Sequence, residues 1–150
     1  MGTHFKGDKE EKQTLNAFIK LTRASESVNG RLSRHLSDAN LTVTQFGALE
    51  ALLHLGPLNQ RELGQKLLKS GGNITLVIDN LLKNELVEKV TDPNDRRAVI
   101  ISLTEKGRDF IEDFFPQHLE KIKEEFSVLS AEEKEQLAAI CKKLGVGKGE

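Results

Sequence analysis

The densest chemistry in the chain lies in Asp92-Pro93-Asn94-Asp95-Arg96-Arg97, which combines a turn former, two acids and two adjacent guanidiniums. Asp, Pro and Asn favour a tight reversal. The flanking runs Leu86–Val90 and Val99–Leu103 are β-branched and favour extended structure. The expectation is a two-stranded ribbon with a charged tip. A guanidinium at such a tip fits a narrow, negative nucleic-acid groove; alternatively, Asp92 or Asp95 can pair an arginine and stiffen the turn. One arginine is expected in each role, Arg96 pointing outward and Arg97 paired. Upstream, Ser70–Leu82 carries a second set of recognition-type side chains. Ile74, Val77, Ile78, Leu81 and Leu82 form one apolar stripe, and Asn73, Thr75, Leu76, Asp79 and Asn80 form the opposite face. Asn can pair with adenine, and Thr can hydrogen-bond a base or touch a thymine methyl. An ordinary core helix with a solvated face would show the same stripe.

Other chemistry is sparse. No nucleophile–base constellation, phosphate loop or metal cluster is legible, so no enzyme, cofactor or bound metal is expected. The histidines, His4, His35, His54 and His118, are scattered, and none stands four residues from another as a helical metal pair would. His35 and His54 fall near the ends of helices bordering the central unit, and Phe18 and Phe46 lie on the same helices. These four are the candidates for lining an apolar ligand cleft, a type of site that favours junctions between lobes. The remaining phenylalanines, Phe110, Phe114, Phe115 and Phe126, read as mostly core, with some of them able to line the same apolar pocket; position alone does not say which. Cys141 continues an apolar stripe and is expected to be a buried packing residue; a thiol sensor would need access and a lowered pKa.

The elements that position these residues follow from spacing and caps. Leu15 to about Ser37 is a long amphipathic helix, preceded by a polar arm, Met1–Lys12, and ended by Asp38-Ala39-Asn40. Thr42-Val43-Thr44-Gln45 has capping-box form and opens a helix that Gly56-Pro57 stops. Asn59-Gln60-Arg61-Glu62 caps the next, Asn59–Leu68, and Ser70 is the expected cap of the fourth. Thr104 caps a fifth, which Pro116 is expected to kink or interrupt. Ser130-Ala131-Glu132-Glu133 opens a sixth, ended by Gly145. Two short helices joined by a Gly-containing turn and followed by a hairpin make a winged helix-turn-helix, a unit that places its second helix in a DNA major groove. The three helices from the two termini have few partners within one subunit, so a second copy is expected to cover them.

The composition agrees. A net charge of −1, with 30% charged residues, disfavours a nonspecific nucleic-acid coat. Charge is segregated, however: basic residues cluster in the central third and acids at 8–11 and 120–135. The single cysteine fits a reducing cytoplasm, and neither a membrane span nor an export signal is legible.

The chain resembles the MarR family of bacterial transcriptional regulators. The resemblance is carried by Leu41-Thr-Val-Thr-Gln-Phe46, Ser70-Gly-Gly-Asn-Ile-Thr75, Val77-Ile-Asp-Asn-Leu81, Leu86-Val-Glu-Lys89, Asp92–Arg97 and Leu103-Thr-Glu-Lys-Gly107. It implies a mainly α fold with a small hairpin. Residues 41–104 would form the winged helix-turn-helix lobe, and 12–37 with 105–146 a helical dimerisation lobe. It implies a homodimeric repressor on a palindromic double-stranded operator. Ser70, Gly71, Gly72, Asn73, Thr75, Leu76 and Asn80 would enter the major groove, and Asn94, Asp95, Arg96 and Arg97 would reach the minor groove. It also implies release by a small-molecule effector, and the overall look is closest to members answering aromatic or quinone-like compounds. Three features depart from the family pattern. Leu76 stands where relatives carry a basic residue. Glu85 replaces a helix-ending Gly, a role Asn84 could take over. The first helix lacks the reactive cysteine of oxidant sensors. A protein–protein adaptor, a constitutive repressor and a thiol-sensing repressor are the alternatives.

Overall fold

A computed structural model describes residues 2–67 and 71–148. The elements run α1 (Lys9–Asp38), α2 (Val43–Leu55), β1 (Leu58–Asn59), α3 (Gln60–Lys66), α4 (Gly71–Lys83), β2 (Val87–Asp92), β3 (Asp95–Leu103), α5 (Glu105–Phe126) and α6 (Ala131–Val146). The expected cap Ser70 falls outside the described residues; the third helix ends at Lys66, with Leu67 as its C-cap, short of the expected Leu68.

Local capping fixes most of the helix starts. Thr42, Asn59 and Ser130 each accept the backbone N–H three residues on, and the residue there reaches back, closing the three capping boxes expected from sequence. A fourth box, not expected, opens α1. Asp8 accepts from Glu11 N and Glu11 returns the bond, so α1 begins at Lys9, inside the stretch expected to be an arm.

Two helices end in a left-handed residue other than glycine. Asn40 (φ 58°) and Glu85 (φ 60°) both follow the pattern in which the last turn closes by paired backbone bonds. At α4, Leu86 N donates to Leu81 O (3.0 Å) and Glu85 N to Leu82 O (3.0 Å); at α1, Leu41 and Asn40 donate to Leu36 O and Ser37 O. Asn tolerates this conformation, whereas Glu does not readily. Glu85 itself takes the glycine position, and Asn84 does not substitute for it.

The sheet has three strands in the order β1-β3-β2, all antiparallel. The sequence pattern predicts only two. Leu58–Asn59 pairs with Ile101 and Ile100, adding a short third strand against the wing. The hairpin strands also run longer than expected, with Asp92 opposite Asp95 at the tip. A single core unites the reading unit with the inner ends of α1 and α5. Leu36, Leu49, Leu52, Leu63, Ile74, Ile78, Leu81, Ile101 and Ile111 are all at most 2% exposed.

The wing is locked to α5 at one joint. Thr104 Oγ1 donates to Glu85 O (2.6 Å) and accepts from Gly107 N (2.9 Å), while Thr104 N donates to Leu86 O (3.1 Å). Gly107 lies so close to the Leu86 carbonyl that a Cβ there would overlap it. α5 runs unbroken through Pro116, so the expected interruption does not occur. Helix α6 continues past Gly145, and Gly147 (φ 71°) caps it.

The outer helices are scarcely covered. In α1 only Leu36 is buried, and α6 buries nothing. Phe18 (63%), Ile140 (63%) and Leu144 (61%) stand open. Cys141 is exposed as well, contrary to the expected packing role, because no residue of α6 is buried within the subunit. Arg31 clasps Glu125 through Nε and Nη2 at 2.8–2.9 Å, tying α1 to the end of α5. That guanidinium holds the Glu125 carboxyl below the usual carboxylate range.

Candidate nucleic-acid interface and aromatic cluster

Helix α4 divides as its sequence stripe requires. Ile74, Ile78 and Leu81 are at most 2% exposed, and Asn73, Thr75, Leu76, Asp79 and Asn80 all face outward. Gly71 and Gly72 form its first turn. From α3, Gln60 Nε2 donates to Thr75 Oγ1 at 2.7 Å, so a side chain outside α4 helps set its outer face. Leu76 stands 62% exposed in the middle of that face.

The wing tip is held by its own acids. Asp92 Oδ1 accepts from Asn94 N (2.8 Å), and Asp95 Oδ1 accepts from Arg97 N (3.0 Å). These bonds turn the carboxylates expected to pair with Arg97 toward the backbone of the turn. Among the described residues neither Arg96 nor Arg97 has a carboxylate within 4.0 Å. The expected Arg97 ion pair is therefore absent, because backbone donors two residues away reach the acids at lower entropic cost than a long side chain does. Successive strand residues point to opposite faces. Arg97 lines a recess of about 380 Å³ with Asn59, Gln60, Arg61, Asp95, Ala98 and Val99, and Arg96 takes the other side. Asn94, Asp95, Arg96 and Arg97 are all exposed. Two unneutralised guanidiniums thus flank a hairpin beside a helix with an open polar face.

A second constellation joins α1, α2 and α5. His35 Nδ1 meets His118 Nδ1 at 2.9 Å, a contact that requires one ring to donate and the other to accept. The two rings stack, His35 stacks on Phe114 (4.9 Å), and Phe114 stacks on Phe110 (5.5 Å). Phe46 presents its edge to His118 at 4.6 Å and stacks on Phe115, whose edge meets His54 at 4.8 Å. Burial of His118, 3% exposed, pushes its pKa below the ordinary histidine value, and the charge of His35 pushes it further down. Three of the four ligand candidates, His35, Phe46 and His54, meet here. Phe18 lies on open α1 and makes no ring contact with them. Phe114 and Phe115, of the phenylalanines that position alone does not sort, join the cluster, and so does His118, which is no candidate from sequence, since 83 residues separate the two histidines along the chain.

The MarR family model matches residues 41–99, the stretch from the start of α2 to the wing. The HTH-type transcriptional regulator MhqR of Bacillus subtilis is 38% identical over 134 residues, covering 89% of this chain and 92% of that protein. The chain belongs to the MarR family. Like its MarR relatives it is a DNA-binding transcriptional regulator and not an enzyme. A probable transcriptional regulator from Pseudomonas aeruginosa is 29% identical and superposes with a TM-score of 0.77, covering 85% of this chain and 95% of that one. BpsR of Bordetella bronchiseptica is 25% identical with a TM-score of 0.77, covering 86% and 98%. Its structure describes regulation of DNA binding by 6-hydroxynicotinic acid. In this MarR chain no helix among the described residues is long and apolar enough to cross a membrane.

Proposed function

We propose that the chain is a homodimeric repressor, working in the bacterial cytoplasm, that reads a palindromic operator and lets go when a small aromatic or quinone-like compound binds. The observation that carries the reading is the open polar face of α4 set beside two arginines with no carboxylate partner. Ser70, Gly71, Gly72, Asn73, Thr75, Leu76 and Asn80 address the major groove. Asn94, Asp95, Arg96 and Arg97 address the adjacent minor groove, where negative potential favours a guanidinium. The bare apolar faces of α1 and α6 suit a second copy. A twofold pair sets the two α4 helices roughly 34–36 Å apart, one turn of DNA.

The ligand seat is the ring cluster around His35, Phe46 and His54, at the junction between the outer helices and the reading unit. BpsR, regulated by a hydroxylated aromatic acid, supports this class of effector. Release follows only to the extent that the ligand prefers the conformation whose helix spacing misfits DNA.

The test is an equilibrium titration of the purified protein against DNA upstream of its own coding region, at several salt concentrations. Arg96→Ala/Arg97→Ala should weaken binding and lower the salt slope by roughly 0.9 for each phosphate no longer neutralised. A simple phenol or quinone should compete with DNA for the parent protein. If the parent shows no salt-dependent binding, the repressor reading fails. If binding is tight but no phenol or quinone weakens it, the ligand part alone fails.

A further inference from the structure

We propose that Leu76 is a specificity determinant that reads the C5-methyl group of one thymine in each half of the operator. The proposal rests on the DNA-reading role of α4 above and says what the centre of its outer face recognises. Leu76 stands two residues from Ile74 and two from Ile78, both buried in the core. At about 100° of turn per residue, it lies about 160° round the helix from each. It therefore projects away from the core, and it is 62% exposed there. Asn73, one turn before it, and Asn80, one turn after it, are exposed and polar, as are Thr75 and Asp79 at its sides. An apolar side chain thus stands at the centre of a polar face.

A lone exposed leucine is ordinary on a protein surface. Its place on this helix gives it a role. A recognition helix brings its first turns to the base edges of the major groove, and Leu76 is the sixth of the 13 residues of α4. Leucine has no donor or acceptor to exchange with a base. Laid against the polar edge of guanine or adenine, or the amino group of cytosine, it strips away water and returns no hydrogen bond. The thymine C5-methyl is the one methyl group that the four bases present in that groove. When leucine meets it, two apolar surfaces leave water together, and the contact is favourable. Leu76 therefore selects thymine by the hydrophobic effect and disfavours the other bases by desolvation.

The experiment uses the full chain. The parent protein first enriches a duplex from a random pool. The thymines of that duplex are then replaced by deoxyuridine, one symmetric pair at a time. Deoxyuridine keeps every hydrogen-bonding atom of thymidine and lacks only the methyl. The parent and Leu76→Ala are titrated against the whole series. Leu76 lies outside the core, so the variant folds as the parent does. For the parent, one pair of replacements should weaken binding roughly 15-fold, about 4-fold for each methyl no longer buried. Leu76→Ala should bind that modified duplex and its thymine form equally well. If no pair of replacements weakens the parent, or if every sensitive pair weakens Leu76→Ala by the same factor, the proposal is overturned; the second result would assign the methyl contact to another residue. If the parent enriches no sequence, the DNA reading itself falls and takes this proposal with it, a result visible before any thymine is replaced.

Discussion

Replacing Glu85 with glycine should make the protein more stable, although the substitution deletes a side chain that makes contacts. Glu85 sits at φ 60° where α4 turns into β2. An L-residue in that region costs roughly 1–2 kcal/mol relative to one with no Cβ. Two terms oppose the gain. Glycine loses more backbone freedom on folding, about 0.5–1 kcal/mol. The Glu85–Lys106 ion pair also disappears, but it spans 3.8 Å between side chains 64% and 81% exposed. Such a pair contributes little, about 0.3 kcal/mol after screening, and Lys106 Nζ keeps its bond to Asn84 O at 3.2 Å. The difference is a gain of about 0.5 kcal/mol, or roughly 1–2 °C in thermal midpoint for a chain of this size. The assay is thermal and urea unfolding at one fixed protein concentration, because a dimer's midpoint depends on concentration. Glu85→Ala is the control: it removes the ion pair and keeps the Cβ, so it should lie at or slightly below the parent. If Glu85→Gly proves no more stable than Glu85→Ala, the left-handed residue costs no more than glycine's own loss of backbone freedom, about 0.5–1 kcal/mol, and the reasoning fails.

Gly107→Ala places a Cβ into the Leu86 carbonyl, and a backbone group cannot turn aside as a side chain can. The stability loss should reach about 2–3 kcal/mol, read by urea midpoint; a loss under half of that would show that the joint relaxes. For His118, burial lowers the folded-state pKa, so below the ordinary value of about 6.5 the unfolded chain binds more protons than the folded one. Stability is therefore lost as pH falls from about 6.5 toward the folded pKa, and His118→Gln should flatten that part of the stability–pH curve. An unchanged acid slope would assign the loss to other groups.

What is legible in the chain is mostly local. The boxes at Thr42, Asn59 and Ser130 close over three residues, so sequence alone specifies them. The division of α4 into Ile74/Ile78/Leu81 and Asn73/Thr75/Leu76 follows from helical period in the same way. Expectation and structure part where a distant partner, or competition between partners, decides. Leu58–Asn59 is too short to signal a strand and becomes one only because Ile100 and Ile101 pass beside it. Attraction between opposite charges assigns Arg97 a carboxylate, yet the nearest donors to Asp92 and Asp95 are backbone N–H groups two residues away. The stripe containing Cys141 predicts core, but a stripe records that a face is apolar and not whether the same subunit covers it. The histidine pair is invisible in sequence because its halves lie on α1 and α5.

The glycine joint gives α5 a mechanical meaning. Its first turn is welded to the wing sheet through Thr104 and Gly107, its middle carries Phe114 and His118, and its far end is clasped by Arg31. The helix is a lever with a load at one end, an anchor at the other and the ring stack partway along its arm. Its 22 residues span about 33 Å, so a swing of about 5° carries the loaded end through about 3 Å. In a twofold pair the two swings add to about 6 Å, against a DNA turn of roughly 34 Å. Phe114 lies about halfway along that arm, so a displacement of about 1.5 Å beside it would be doubled at the loaded end.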